Sequence, residues 1–180
     1  MNLNLIQRGI PVADLHWAIQ SHPELWNQNT MRTQSPDSPH HGLDDIWARY
    51  GAADQDPTKP HDAHWHEPAD ILGIKPVCLD IMRLVGGSIL GGVLITRIPP
   101  GVMCKKHFDR GWHADAHYKY ALQITSAPGQ FFCFEGESLE SKPGDLYSFK
   151  NEFTHWVTND TQYERITMIV CVRKEHVCRG

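Results

Sequence analysis

The chain has 180 residues, a formal net charge of −4, 41% hydrophobic and 21% charged residues, which suits one soluble domain with a single sizeable core. No run of 18 apolar residues exists, so no membrane span is expected, and the chain has no long basic run of the kind that grips nucleic acid, although nucleic acid stays open as a substrate. Its 12 histidines outnumber the lysines and the arginines taken singly, and histidine is the commonest metal ligand. The start, MNLNLIQRGIPVADL, lacks the basic-then-apolar layout of a signal peptide. Cys78, Cys104, Cys133, Cys171 and Cys178 are odd in number and never form CxxC, so reduced thiols in a cytoplasm are the expectation.

In chain order, residues 11–20 begin with a proline and place Val12, Leu15 and Ile19 at helical spacing, which predicts a first helix. The stretch NQNTMRTQSPDSPHHGL that follows reads as a long loop, and Asp44 and Asp45 before Ile46 and Trp47 read as the opening of a short helix. Residues 51–70 read as a second polar loop, and residues 76–85 as a second helix stopped by Gly86 and Gly87. Loops of this length are uncommon in a compact domain unless they line a site or lack order. From residue 88 the texture changes to short β-rich runs (SILGGVLITRI, KYALQIT, FFCFEG, LYSFK, THWVT, RITMIVCVR) separated by PPG, APG, EGES and KPGD. The pattern predicts a mainly β protein: a double-stranded β-helix of jelly-roll or cupin type over 88–180. Residues 1–87 are expected as a helical and loop extension packed outside it.

The sharpest local signal is His107-Phe108-Asp109 after the turn Pro99-Pro100-Gly101. Residues two apart in an extended segment share a face, so His107 and Asp109 can aim an imidazole and a carboxylate at one point. His155, opening the run THWVT several strands later, is the best third ligand. Two histidines and one carboxylate cap one face of an octahedral Fe(II) and leave positions open. Arg165 and Thr167 alternate onto one face of the last run and suit a carboxylate clamp.

Together these residues resemble the aspartyl/asparaginyl β-hydroxylase family of Fe(II)/2-oxoglutarate-dependent oxygenases. The matching segments are LITRIPPGVMCKKHFDRG, PGDLYSFKNEFTHWVTND and RITMIVCV, within residues 88–174. They supply in order a PPG turn, His107/Asp109/Gly111, Pro143-Gly144-Asp145, Asn151/His155/Val157/Asn159 and Arg165. The resemblance implies that His107, Asp109 and His155 bind Fe(II), and that Arg165, with Thr167, binds the distal carboxylate of 2-oxoglutarate. O2 would be the oxidant. Where family members often carry Arg-x-His on the strand after HxD, this chain has His117-Tyr118-Lys119-Tyr120. Either Tyr118 and Tyr120 or His117 and Lys119 stand in for that pair, since alternation lets only one pair point inward; Tyr120 is favoured as a phenol donor. Asn151, Asn159 and Trp156 are candidates to orient the histidines. His113 and His117 are possible substrate contacts, and Arg32, His40, His41, His61, His64 and His66 sit in loops that suit a lid or a solvated surface. The expected activity is hydroxylation of a C–H bond in a peptidyl or free amino-acid-like substrate. The competing reading is a cupin-like metal-binding protein without 2-oxoglutarate-dependent catalysis.

Overall fold

The strand that begins at Arg165 shows how the sequence builds the molecule. In β11 (Arg165–Arg173), Ile166, Met168, Val170 and Val172 alternate with Arg165, Thr167, Ile169 and Cys171. The first set joins a core that includes Ile46, Ile81, Ile95 and Leu122; the second faces the barrel interior, where Ala121, Phe132, Tyr147 and Phe149 form a separate core. An antiparallel strand with apolar side chains on both faces must be covered on both. Helices cover one face and a second sheet covers the other.

The computed structural model describes residues 1–52, 56 and 59–173. The remaining strands are β1 (Leu3–Gln7), β2 (Asp44–Tyr50), β3 (His64–Trp65), β4 (Leu90–Ile98), β5 (Cys104–His107), β6 (His117–Thr125), β7 (Gln130–Phe134), β8 (Glu137–Leu139), β9 (Leu146–Phe149) and β10 (His155–Asn159). They form a seven-stranded sheet in the order β1-β9-β6-β11-β4-β2-β3 and a four-stranded sheet in the order β5-β10-β7-β8. All pairings are antiparallel. This is the mainly β jelly-roll architecture that the turn spacing predicts. Helices α1 (Ala13–Ser21) and α3 (Lys75–Leu84) pack on the outer face of the large sheet, and α2 (Glu67–Ile71) lies against β2. A further short helix, α4 (Trp112–Ala116), leads into β6.

The region around Asp44 is a strand, not the opening of a helix. Asp45 is fully buried and receives Arg32 Nε at 2.6 Å and Thr96 Oγ1 at 2.9 Å. Ile46 and Ala48 join the outer core, so the period is two. The two acids that suggested a helix start are sheet residues neutralised by Arg32 and by Arg97, whose Nε donates to Asp44 at 2.8 Å. The first 87 residues thus supply three strands of the large sheet as well as helices. The four described cysteines are buried and unpaired, and Cys178 lies outside the described residues. Among the described residues, no helix is long and apolar enough to cross a membrane.

At the turn before β9, Gly144 has φ +86°, and a Cβ there would lie 2.6 Å from the Ile10 carbonyl oxygen. That backbone contact is used: Ile10 N–H donates to the Gly144 carbonyl at 3.0 Å. The Pro-Gly-Asp turn therefore ties the N-terminal segment to the barrel, and only glycine fits there.

Candidate metal centre

Strands β5 and β10 pair so that His107 and His155 are register partners. Facing residues on neighbouring antiparallel strands project their side chains to one side. The two imidazoles lie with centroids 4.4 Å apart. Each Nδ1 is bonded to a backbone carbonyl: His107 to Lys105 at 2.7 Å, His155 to Phe153 at 2.8 Å. A carbonyl can only accept, so Nδ1 carries the proton and each Nε2 presents a lone pair.

Asp109 follows two residues after His107, beyond the end of β5. Its backbone N–H donates to the Asn151 carbonyl at 2.9 Å, and the Asn151 side chain donates to the Ala114 carbonyl at 3.1 Å. The loop carrying the carboxylate is fixed on both sides. Asp109 Oδ1 lies 3.7 Å from His107 Nε2, and Oδ2 lies 3.9 Å from His155 Nε2. The ligand atoms of all three residues fall within 4.8 Å of one another.

Burial pushes the His155 imidazole down to about 4 and lowers that of His107. Burial alone would raise the Asp109 carboxyl, but the Lys119 ammonium, 2.6 Å from Oδ2, outweighs it and holds Asp109 at about 2. Neutral imidazoles and an ionised carboxylate are the protonation states in which these groups bind a metal.

A second trio, His40, Cys104 and His107, also lies within 4.8 Å. Its hydrogens argue against it. Arg32 Nη1, which can only donate, lies 3.4 Å from His40 Nε2, so His40 Nδ1 carries the proton and points to Cys104 Sγ at 3.3 Å. Burial raises the Cys104 thiol to about 12, and His107 Nδ1 is the protonated nitrogen. Of these two trios, it is His107–Asp109–His155 whose lone pairs converge.

Arg165 and Thr167 line the same cavity of about 280 Å³ as these three residues. Arg165 is 1% exposed. Its Nη2 donates to Ser141 Oγ at 3.0 Å and Tyr147 Oη at 3.3 Å, while Nη1 is buried without a partner among the described residues. An unsatisfied buried guanidinium nitrogen is costly and calls for an anionic acceptor. Thr167 Oγ1 donates to Gln123 Oε1 at 3.2 Å, which also receives Ser141 Oγ at 2.8 Å. Phe132, Tyr147, Phe149 and Val157 supply apolar walls.

Tyr118 and Tyr120 do not line this cavity. Tyr118 is 54% exposed, and Tyr120 packs against the outer core beneath the helices. The reason is parity: Leu122 and Ile124 need the outer core, which turns Ala121, Lys119 and His117 inward. Of the two alternatives on this strand, it is Lys119 that lines the cavity, bonded to Asp109. The relative apolarity of Leu122 and Ile124 against Ala121 and Gln123 carried that signal. Ser141 and Tyr147, which hold Arg165, had no motif to announce them. Asn159 serves the fold: its side chain donates to the carbonyls of Ile98, Pro99 and Tyr163 at 2.8–3.0 Å. Trp156 lies under the Lys106 ammonium at 4.3 Å. Of the loop histidines, His40 reaches the cavity, His61 is buried and His64 is exposed.

The family model described as Aspartyl/Asparaginyl beta-hydroxylase matches residues 24–175. No curated protein matches the sequence. Among solved structures, a Pseudomonas putida prolyl-4-hydroxylase aligns with TM-score 0.59 at 16% identity, over 96% of this chain and 93% of that one. A Trichoplax adhaerens prolyl hydroxylase, in complex with a hypoxia inducible factor oxygen degradation domain peptide fragment, aligns with TM-score 0.64 at 9% identity, over 96% and 83%. A Burkholderia pseudomallei oxidoreductase of the 2OG-Fe(II) oxygenase family aligns with TM-score 0.55 at 13% identity, over 75% and 68%. At these identities the likeness is one of fold.

Proposed function

This chain belongs to the aspartyl/asparaginyl β-hydroxylase family, and on that premise we propose that it is an Fe(II)- and 2-oxoglutarate-dependent dioxygenase that hydroxylates a C–H bond of a peptidyl or free amino-acid-like substrate. One observation carries the reading. A single cavity holds two histidines and one carboxylate with converging lone pairs, and a buried arginine with an unsatisfied nitrogen.

The donor set fits the metal. His107 Nε2, His155 Nε2 and an Asp109 oxygen would hold Fe(II), a mixed nitrogen–oxygen set that suits iron and leaves positions open. Arg165 would receive the distal carboxylate of 2-oxoglutarate on Nη1, with the Thr167 hydroxyl beside it. When bound, Fe(II), 2-oxoglutarate and O2 supply the oxidising chemistry that places a hydroxyl on the substrate and yields succinate and CO2. The chain's own residues do the rest. The Lys105 and Phe153 carbonyls fix the histidine tautomers, and Lys119 keeps Asp109 ionised and in place. Phe132, Phe149 and Tyr147 keep water from the region between Arg165 and the metal ligands. The peptide bound to the Trichoplax adhaerens protein supports a peptidyl or amino-acid-like substrate, and the unpaired cysteines fit a reducing, cytoplasmic setting.

A cupin-like metal-binding protein without 2-oxoglutarate chemistry would not need the Arg165 clamp. Anaerobic addition of Fe(II) and 2-oxoglutarate separates the two readings: the proposal expects a weak visible charge-transfer band and calorimetric binding of 2-oxoglutarate. Iron binding with neither signal would leave the cupin-like reading standing instead.

A further inference from the structure

Beside the metal cavity lies a second pocket of about 150 Å³, and Arg49 and His113 line both. Its other walls include His61, Asp62, His117 and Arg173. Strand register sets its position: Arg165 pairs with Ile98 at one end of the β4·β11 ladder, while Val172 pairs with Leu90 at the other. The pocket therefore sits at the opposite end of the barrel from the Arg165 clamp.

Its chemistry is unusually incomplete. His61 Nε2, His117 Nε2, Arg49 Nε and Arg173 Nε are all buried without a hydrogen-bond partner among the described residues. His61 and His117 are 7% and 1% exposed. A buried polar group without a partner is costly, so four on the walls of one pocket are a strong demand for a ligand. The hydrogens define its type. His61 Nδ1 donates to the Lys59 carbonyl at 2.9 Å, and His117 Nδ1 to the His113 carbonyl at 2.7 Å, which in a neutral imidazole leaves Nε2 as the acceptor. The guanidinium Nε–H groups can only donate. Two donors that carry positive charge thus stand with two imidazole nitrogens and the Asp62 carboxylate.

The surroundings hold these groups rigidly. His117 stacks on His113 at 4.2 Å, His61 meets Trp112 at 4.9 Å, and the Arg173 guanidinium lies over Trp112 at 5.5 Å. Gly91 admits the His117 ring, since a Cβ there would lie 2.6 Å from Nε2.

We infer that this pocket binds the zwitterionic head of a free α-amino acid, the carboxylate on Arg49 and Arg173 and the ammonium on the two imidazoles and Asp62. A simple anion would leave the imidazole acceptors unmet, and a simple cation the guanidinium donors. Peptide-linked residues lack one or both charges. The inference rests on the oxygenase reading and narrows its substrate to free amino acids, whose side chains would extend past Arg49 and His113 towards the metal ligands.

Calorimetry tests it directly, with the twenty free L-amino acids titrated into the protein under argon, with Fe(II) and 2-oxoglutarate and again after chelation. At least one should bind, and its N-acetyl and carboxamide forms should each bind at least tenfold more weakly. H61F keeps the aromatic packing and R173Q keeps most of the side-chain length; each should weaken binding at least tenfold with iron content unchanged. No binding by any free amino acid, equal binding of the blocked forms, or unaltered binding by both variants would overturn the inference. Amino-acid binding to chelated protein that never forms the charge-transfer band would sink the oxygenase reading alone. The band without amino-acid binding would sink only the zwitterion pocket.

Discussion

Lys119 is the one cation in direct ion-pair contact with the proposed iron carboxylate among the described residues, at 2.6 Å from Asp109 Oδ2. K119M removes the charge and keeps the stem. Asp109 should then lose its low pKa, and iron affinity should fall ~10- to 100-fold, read by titration with a competing chelator. H155A should abolish stoichiometric iron binding, because only two ligands remain; unchanged iron content by elemental analysis would contradict its role. R165A should raise the 2-oxoglutarate requirement at least ~100-fold, since a buried charge-assisted clamp is worth about 3–5 kcal/mol, while leaving the iron requirement within a few-fold. Steady-state succinate formation against each cosubstrate gives both numbers. The meeting of His107, Asp109, His155 and Arg165 in one cavity was legible because each sits at a fixed offset in a turn-strand motif. The choice of Lys119 over Tyr120 was not, because one residue of register decides which of them points inward.

At the scale of elements, Asn159 at the end of β10 stitches two sheets together. It donates to the carbonyls of Ile98, which ends β4, and Pro99 just beyond it, and accepts from Gln130 of β7 at 3.0 Å. N159A strips several buried partners at once and should destabilise the protein by ~2–4 kcal/mol, seen as a lower urea midpoint with an unchanged slope. Strands β4, β6, β7, β9, β10 and β11 were readable because turn residues delimit runs of β-branched and aromatic residues, whereas the short β8 begins within the stretch EGES that reads as a turn. Strands β1 and β2 were not readable. The first has weak alternation, and the second opens on two acids whose strand character depends on Arg32 and Arg97, contacts that no local window reveals.

For the molecule as a whole, burial leaves five histidines hard to protonate: His155 at about 4, His113 at about 3 and His40 at about 2, with His107 and His117 lowered as well. In the unfolded chain each titrates near the ordinary imidazole value of 6.5. Between these limits the unfolded state binds more protons than the native one, so stability is present above pH 6.5 and falls as pH drops through it. Asp109 acts in another window: its lowered pKa contributes stability above the ordinary carboxylate range, lost only as pH approaches about 2. Melting of iron-free protein should therefore shift down by at least ~5 °C between pH 7 and pH 5. A flat profile over that interval would show that the histidines are not held neutral.

The pairing of β2 with β4 has a practical outcome for anyone shortening the chain. A fragment beginning at residue 88 would open on β4, nine residues long and nearly all buried in the intact protein, with one whole side stripped of its hydrogen-bonding neighbour. An exposed, long and apolar margin of this kind recruits another copy of itself. Such a fragment should elute as aggregates in size-exclusion chromatography despite holding every proposed iron ligand, because what the first 87 residues contribute is solubility as much as shape.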